Sequence, residues 1–132
     1  MQLPNPRYFL PAAFAAILLA ALLASIAFSD ENWTDTQIVN AIYKAEGGVK
    51  AQYAYGIRSI RYNSITEAKR ICFNTVRNNR KRYTQYGHKD FPDFLSFLAS
   101  RYCPTTGKLS KAEKKLNGNW LKNVKYFLMK GG

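Results

Sequence analysis

Twenty consecutive residues without a charge, FLPAAFAAILLAALLASIAF from Phe9 to Phe28, set the first limit on what this chain can fold into. A run of about 20 apolar residues is long enough to span a bilayer. Arg7 is the only charge ahead of it, and small residues follow at Ser25-x-Ala27 and Ala27-x-Ser29, patterns that a signal peptidase accepts. Two readings of residues 1–29 are therefore open, a cleaved signal peptide and an uncleaved anchor helix. Pro11 and the many alanines lean toward cleavage. Either reading carries the rest out of the cytoplasm, because Arg7 stays inside while Asp30, Glu31 and Asp35 follow on the far side. The expected location is periplasmic, secreted, or anchored on the outer side of the inner membrane. Residues 30–132 are left to fold, and about 100 residues bury one modest core.

That exported part keeps nineteen of the twenty basic residues and all eight acidic ones, a net charge of +11. Such charge on a small exported body favours anionic partners: peptidoglycan or another anionic cell-envelope polymer, outer lipid head groups reached beside an N-terminal anchor, or nucleic acid outside the cell. Specific nucleic-acid binding is not expected. The densest basic cluster, RNNRKR from Arg77 to Arg82, has little aromatic interleaving and reads as a solvated helix face. Cys72 and Cys103 are the only cysteines. In an oxidising compartment an even number is compatible with one disulfide, and the pair is expected to be bridged. Closing a loop of that length adds about 3–4 kcal/mol when the effect is treated as chain entropy.

The patterning predicts a mainly α domain. Thr34 or Asp35 can cap a first helix whose apolar positions Ile38, Ala41, Ile42 and Ala45 recur at spacings of three and four, ending at Glu46. Gly47–Asn63 reads as a connection rich in Tyr, Gly and Ser, with a short strand or hairpin around Tyr53–Ile60. Ser64 and Glu67 form a capping box ahead of a second helix that runs to Gly87. Asp90 opens a third, with Pro92 in its first turn, and Cys103-Pro104 ends it. Thr105–Lys115 reads as a lysine-rich loop, and Asn117 or Asn119 caps a last helix with Trp120, Val124, Phe127 and Leu128 facing inward.

Few residues are placed for chemistry. His88 is the single histidine and sits in a turn, so no metal site and no cofactor are expected. No nucleophile-elbow or phosphate-cradling glycine motif is present. Asp35, Glu67, Asp90 and Asp93 read as helix caps or first-turn charges. Glu46 is different. It occupies the last turn of a helix, just before Gly47-Gly48, where an ionised carboxylate faces the negative end of the dipole at a cost of roughly 0.3–1 kcal/mol. Cleaving a glycosidic bond requires a carboxyl group that still holds its proton and is aimed at the leaving oxygen. An apolar helix face and a helix C-terminus both disfavour the ionised form of a carboxyl group. Tyr53, Tyr55, Gly56 and Ser59 follow, offering aromatic faces, an exposed backbone and a hydroxyl to a sugar.

With AEGG at 45–48 and YGIRS at 55–59, the chain resembles the catalytic region of the lysozyme-like superfamily, lytic transglycosylases and goose-type lysozymes. Those proteins carry a Glu-Ser-Gly-type turn and then a Gly-Leu-x-Gln segment, matched here by Glu46-Gly47-Gly48 and Gly56-Ile57-Arg58-Ser59. The resemblance covers some twenty residues. AEGG, YGI, RYCP and NWLKNVKYF, in that order, also make the exported part similar to a group of small exported bacterial proteins of no settled function. The first resemblance implies a small lysozyme-like helical fold, Glu46 as general acid/base, and glycan binding by Tyr53, Tyr55, Gly56 and Ser59. It departs at Ser59, where the family has Gln, and no later Ala-Tyr-Asn-type motif is evident; Asn74, Asn78, Trp120 and Asn123 are the nearby substitutes. A lone glutamate suits a lytic transglycosylase, in which one residue acts as acid and then base. The competing expectation is a non-catalytic cationic module bound to wall or membrane.

Overall fold

The computed structural model describes residues 33–131, so residues 1–29, read from the sequence as a signal peptide or anchor, lie outside the described residues. Four α-helices build the described part: α1 (Asp35–Ala45), α2 (Ile65–Gln85), α3 (Phe94–Tyr102) and α4 (Lys111–Met129). Among the described residues there is no strand, and none of these helices is long and apolar enough to cross a membrane.

Each helix begins where a side chain can take over an orphan backbone N–H. Thr34 caps α1 in a reciprocal box with Gln37. Ser64 accepts from the Glu67 N–H at the start of α2, while the Glu67 carboxylate reaches Asn63 N instead of closing the box on Ser64. Asp93 caps α3 through Ser96 N at 2.7 Å. The cap of the third helix thus lies three residues after Asp90, the residue expected from sequence to open it, and Pro92 falls ahead of the cap instead of in the first turn. Ser110 and Glu113 form a full capping box for α4. That helix therefore begins well before Asn117, and the segment read as a lysine-rich loop supplies its first turn.

The core follows the periodicities. Ile38, Val39, Ala41 and Ile42 of α1 meet Val124 and Leu128 of α4, Ala68, Cys72 and Val76 of α2, and Phe94, Leu95 and Leu98 of α3 in one buried cluster. Helix α1 packs on both α4 and α2, and α3 contacts α2 and α4. Truncating one of these large side chains to Ala costs about 2–5 kcal/mol. One member of the basic cluster is structural: Arg80 donates to Asp35 Oδ1 at 2.6 Å and to the Trp33 carbonyl at 2.9 Å, with its guanidinium over the Phe94 ring. It ties α2 to the start of α1.

No hairpin forms after α1. The segment makes two short 3-10 turns, Gly48–Lys50 and Ala54–Gly56, and the second packs on α1 and α2. Tyr55, at φ 58°, adopts a left-handed conformation that a strand cannot accommodate. Its ring is buried in contact with Tyr43, centroids 5.0 Å apart. The buried ring and the left-handed turn replace the short strand or hairpin expected around Tyr53–Ile60.

Candidate active site

Glu46 is the C-cap of α1, its N–H donating to the Ile42 carbonyl at 2.9 Å, and Gly47 at φ 103° turns the chain away behind it. The side chain is half-buried. Two neighbours from distant parts of the chain fix it. Trp120 of α4 donates its indole N–H to Glu46 Oε1 at 2.8 Å. Gly56 approaches so closely that a Cβ there would lie 2.7 Å from the Glu46 carboxyl carbon, and its φ of 68° is itself a glycine conformation. The glycine expected to expose backbone to a sugar therefore also makes room for the carboxylate.

A second layer holds these two neighbours. Tyr102, at the end of α3, stacks on Trp120 with centroids 5.0 Å apart and an interplanar angle of 22°. Its hydroxyl donates to the Tyr55 carbonyl at 2.5 Å. The Ala54 N–H donates to the Tyr62 hydroxyl at 2.8 Å. The turn that presents Gly56 is thus pinned from α3 on one side and by Tyr62 on the other. A left-handed non-glycine residue costs about 1–3 kcal/mol, and it persists here because these contacts over-determine it.

The carboxylate opens on a cleft of about 580 Å³. One wall is the end of α1 and the connection after it: Ala45, Glu46, Gly56, Arg58 and Ser59. The end of α3 contributes Tyr102, Cys103 and Pro104, and α4 contributes a stripe at helical spacing, Glu113, Leu116, Asn117, Trp120 and Asn123. Trp120 is only 5 % exposed, so the stacked pair forms the floor of the cleft, while the amides of Asn117 and Asn123 and the hydroxyl of Ser59 offer hydrogen bonds to a hydroxyl-bearing ligand. Asn117 also donates to the Pro104 carbonyl at 2.6 Å, closing the rim between α3 and α4.

Of the residues expected to bind glycan, Gly56 and Ser59 line the cleft. Tyr55 does not: it is 5 % exposed, and a Tyr55→Ala change would act through the core. Tyr53 is outside the lining as well, with the guanidinium of Arg58 over its ring at 5.3 Å. Trp120 and Asn123 reach the cleft, while Asn74 and Asn78 lie on the exposed side of α2. Sequence reasoning missed Tyr102, Arg58, Glu113 and Asn117. For α4 the signal was available in Ser110-Lys-Ala-Glu113, a capping box that places Glu113, Asn117 and Trp120 on one face.

The expected disulfide is absent: Cys72 and Cys103 are free. Cys72 is buried, and Tyr102 Oη lies 3.7 Å from its sulfur. Burial pushes the Cys72 thiol up to about 12, against the pull of the Tyr102 hydrogen bond. Cys103 is pushed up to about 11 by burial and by the charge of Glu46, opposed by Arg58. Burial likewise raises Tyr102 well above the ordinary phenol range. Both thiols are neutral at pH 7 and poor nucleophiles. Glu46 is the acid–base candidate this leaves in the cleft beside the capping residue Glu113. No group of three His, Cys, Asp or Glu side chains able to hold a metal ion occurs among the described residues. The chain matches no protein-family model, no curated protein and no solved structure, so any reading of the cleft stands on its geometry.

Proposed function

We propose that this is an exported peptidoglycan-cleaving enzyme of lysozyme-like helical fold, with Glu46 as general acid and then base. One observation carries the reading: a helix-terminal carboxylate is held at an indole N–H, 2.8 Å away, against a glycine that leaves no room for a side chain, at the wall of an open cleft. A surface or capping glutamate requires none of that support.

In the reaction, Glu46 gives its proton to the glycosidic oxygen as the bond from that oxygen to the anomeric carbon breaks. The resulting carboxylate takes the proton of an attacking hydroxyl, whose oxygen closes on the anomeric carbon. Attack by the sugar's own hydroxyl gives an anhydro ring, as in a lytic transglycosylase, and attack by water gives a reducing end. Glu113 shares the cleft but is engaged in capping α4, its carboxylate held below the usual range by the Ser110 hydroxyl and backbone N–H. A single-glutamate mechanism fits this arrangement.

The test is product analysis by mass spectrometry on purified peptidoglycan, with Glu46→Gln as the control. Anhydro ends from the wild type alone identify a transglycosylase, and reducing ends a hydrolase. Products that persist unchanged in Glu46→Gln remove Glu46 from the mechanism. A second reading, a non-catalytic cationic wall-binding module, is favoured by a different observation: Arg58 is the only basic residue that lines the cleft, and the other basic side chains of the described residues lie outside it. Intact glycan from a folded protein on several wall types would select that reading.

A further inference from the structure

The chain is strongly basic, yet its cleft is not. Its lining holds two carboxylates, Glu46 and Glu113, and one cation, Arg58. Arg58 is the one cation of the lining, and the lysines of this basic surface lie outside it. Arg58 makes no ion pair with any described residue. Its guanidinium lies over the ring of Tyr53, 5.3 Å from the centroid, a contact that leaves its hydrogen-bonding edge unused. The Cys103 thiol, also in the lining, is raised chiefly by burial and further by Glu46, against the opposing pull of Arg58, so both charges are felt at one place in the cleft.

We propose that Arg58 is a carboxylate reader, so that the cleft prefers a glycan bearing a free carboxylate over the same glycan amidated at that group. A guanidinium presents its donors in a planar fork that matches a carboxylate. It also offsets the repulsion that Glu46 and Glu113 exert on an acidic ligand. An amide in place of the carboxylate offers one neutral acceptor and loses the charge-assisted pair. The inference rests on the reading of the cleft as a glycan site. In peptidoglycan the lactyl carboxyl group is bound as an amide to the stem peptide and is free only where that amide has been hydrolysed. The reaction class that supplies this substrate is therefore amide hydrolysis, in which water adds, the carboxylate stays on the sugar and the amine leaves with the peptide.

The experiment measures equilibrium binding to the full chain carrying Glu46→Gln, which leaves the ligand uncut and keeps a carbonyl oxygen for the Trp120 N–H. The probes are two muramyl oligosaccharides that differ only in a free lactyl carboxylate or its primary amide. The expected result is a preference of about tenfold or more for the carboxylate. Adding Arg58→Gln abolishes that preference, with a larger loss of affinity for the carboxylate than for the amide, and Arg58→Lys keeps part of it. Equal affinity for the two probes, no binding of either, or a preference that survives Arg58→Gln overturns the proposal. If the preference is found while the wild type cuts neither probe, Arg58 keeps its role and the catalytic reading of Glu46 falls.

Discussion

The cleft and the outer face of α2 are opposite uses of polar side chains. In the cleft wall charges are few, and Glu46 is met by a donor at 2.8 Å and by the backbone of a glycine. On α2, Lys69, Arg70, Arg77, Lys81 and Arg82 are exposed to water, and Arg70 has the Glu67 carboxylate 3.8 Å away, one turn along the helix. Exposed charge of that kind contributes little to stability and is screened by salt. The comparison teaches that charge density marks where an anionic surface is attracted, whereas convergent support of a single carboxylate marks where chemistry can occur. Arg80 shows how close the two classes sit: it lies inside the basic cluster but is spent on Asp35, Trp33 and Phe94.

The largest expected effect breaks the comparison on the cleft side. Glu46→Gln lowers wall-cleaving activity by roughly 10²–10⁴-fold, the usual contribution of a general acid, with little change in thermal midpoint. A fold-neutral variant that retains full activity would equate the two regions after all.

Gly56→Ala comes next. The added Cβ meets the Glu46 carboxyl at 2.7 Å and the backbone is held at φ 68°, so stability falls by about 1–3 kcal/mol and the carboxylate is displaced. Denaturant melts beside activity assays check both. Trp120→Phe removes the indole N–H together with the five-membered part of a buried ring: a hydrogen bond to a charged group contributes about 1.5–3 kcal/mol, and we expect roughly a tenfold loss of activity with some loss of packing against Tyr102. Undiminished turnover in that variant would mean that the indole merely fills space.

The thiols give a pH test. The folded-state value of Cys72 is raised from 9.0 to about 12, so the folded protein holds this proton more tightly than the unfolded chain does. The associated stability is present in full below about pH 9 and is lost as pH rises toward about 12. Denaturation curves between pH 8 and 10.5 should show a steeper decline for the wild type than for Cys72→Ala; parallel declines would dissociate the thiol from it. Intact mass without reductant reports on the bond itself, since a disulfide lowers it by two hydrogens.

The smallest effects belong to α2. Arg77→Ala and Lys81→Ala change stability by less than about 0.5 kcal/mol and weaken adsorption to anionic wall material at low salt. Arg80→Ala, three residues from Arg77 and one from Lys81, instead destabilises by about 1–2 kcal/mol through the lost pair with Asp35 and the lost stack on Phe94. Urea midpoints for the three variants, compared directly, sharpen the division of labour inside one basic cluster.

Much of the helical layout was legible before any coordinates. Thr34, Ser64 and the spacing of Ile38, Ala41 and Ile42 are local signals, and the caps and buried face they announce are found. Where local signals competed, the reading slipped. Asn117 and Asn119 are credible caps, but the Ser110–Glu113 box starts α4 earlier and leaves both inside the helix. Asp90 is a credible cap, but Asp93 is the residue whose carboxylate reaches an N–H.

The sequence by itself determined that Glu46 closes a helix ahead of two glycines, because hydrogen-bonding and dihedral preferences act over a few residues. Only the tertiary structure decided what that glutamate faces. Trp120 lies 74 positions along the chain and Tyr102 lies 47 beyond Tyr55. Such pairings are set by how four helices share one core, and no periodicity in a short window encodes them. The same packing buried Tyr55, left Cys72 unbridged and turned Arg58 over Tyr53 at the cleft.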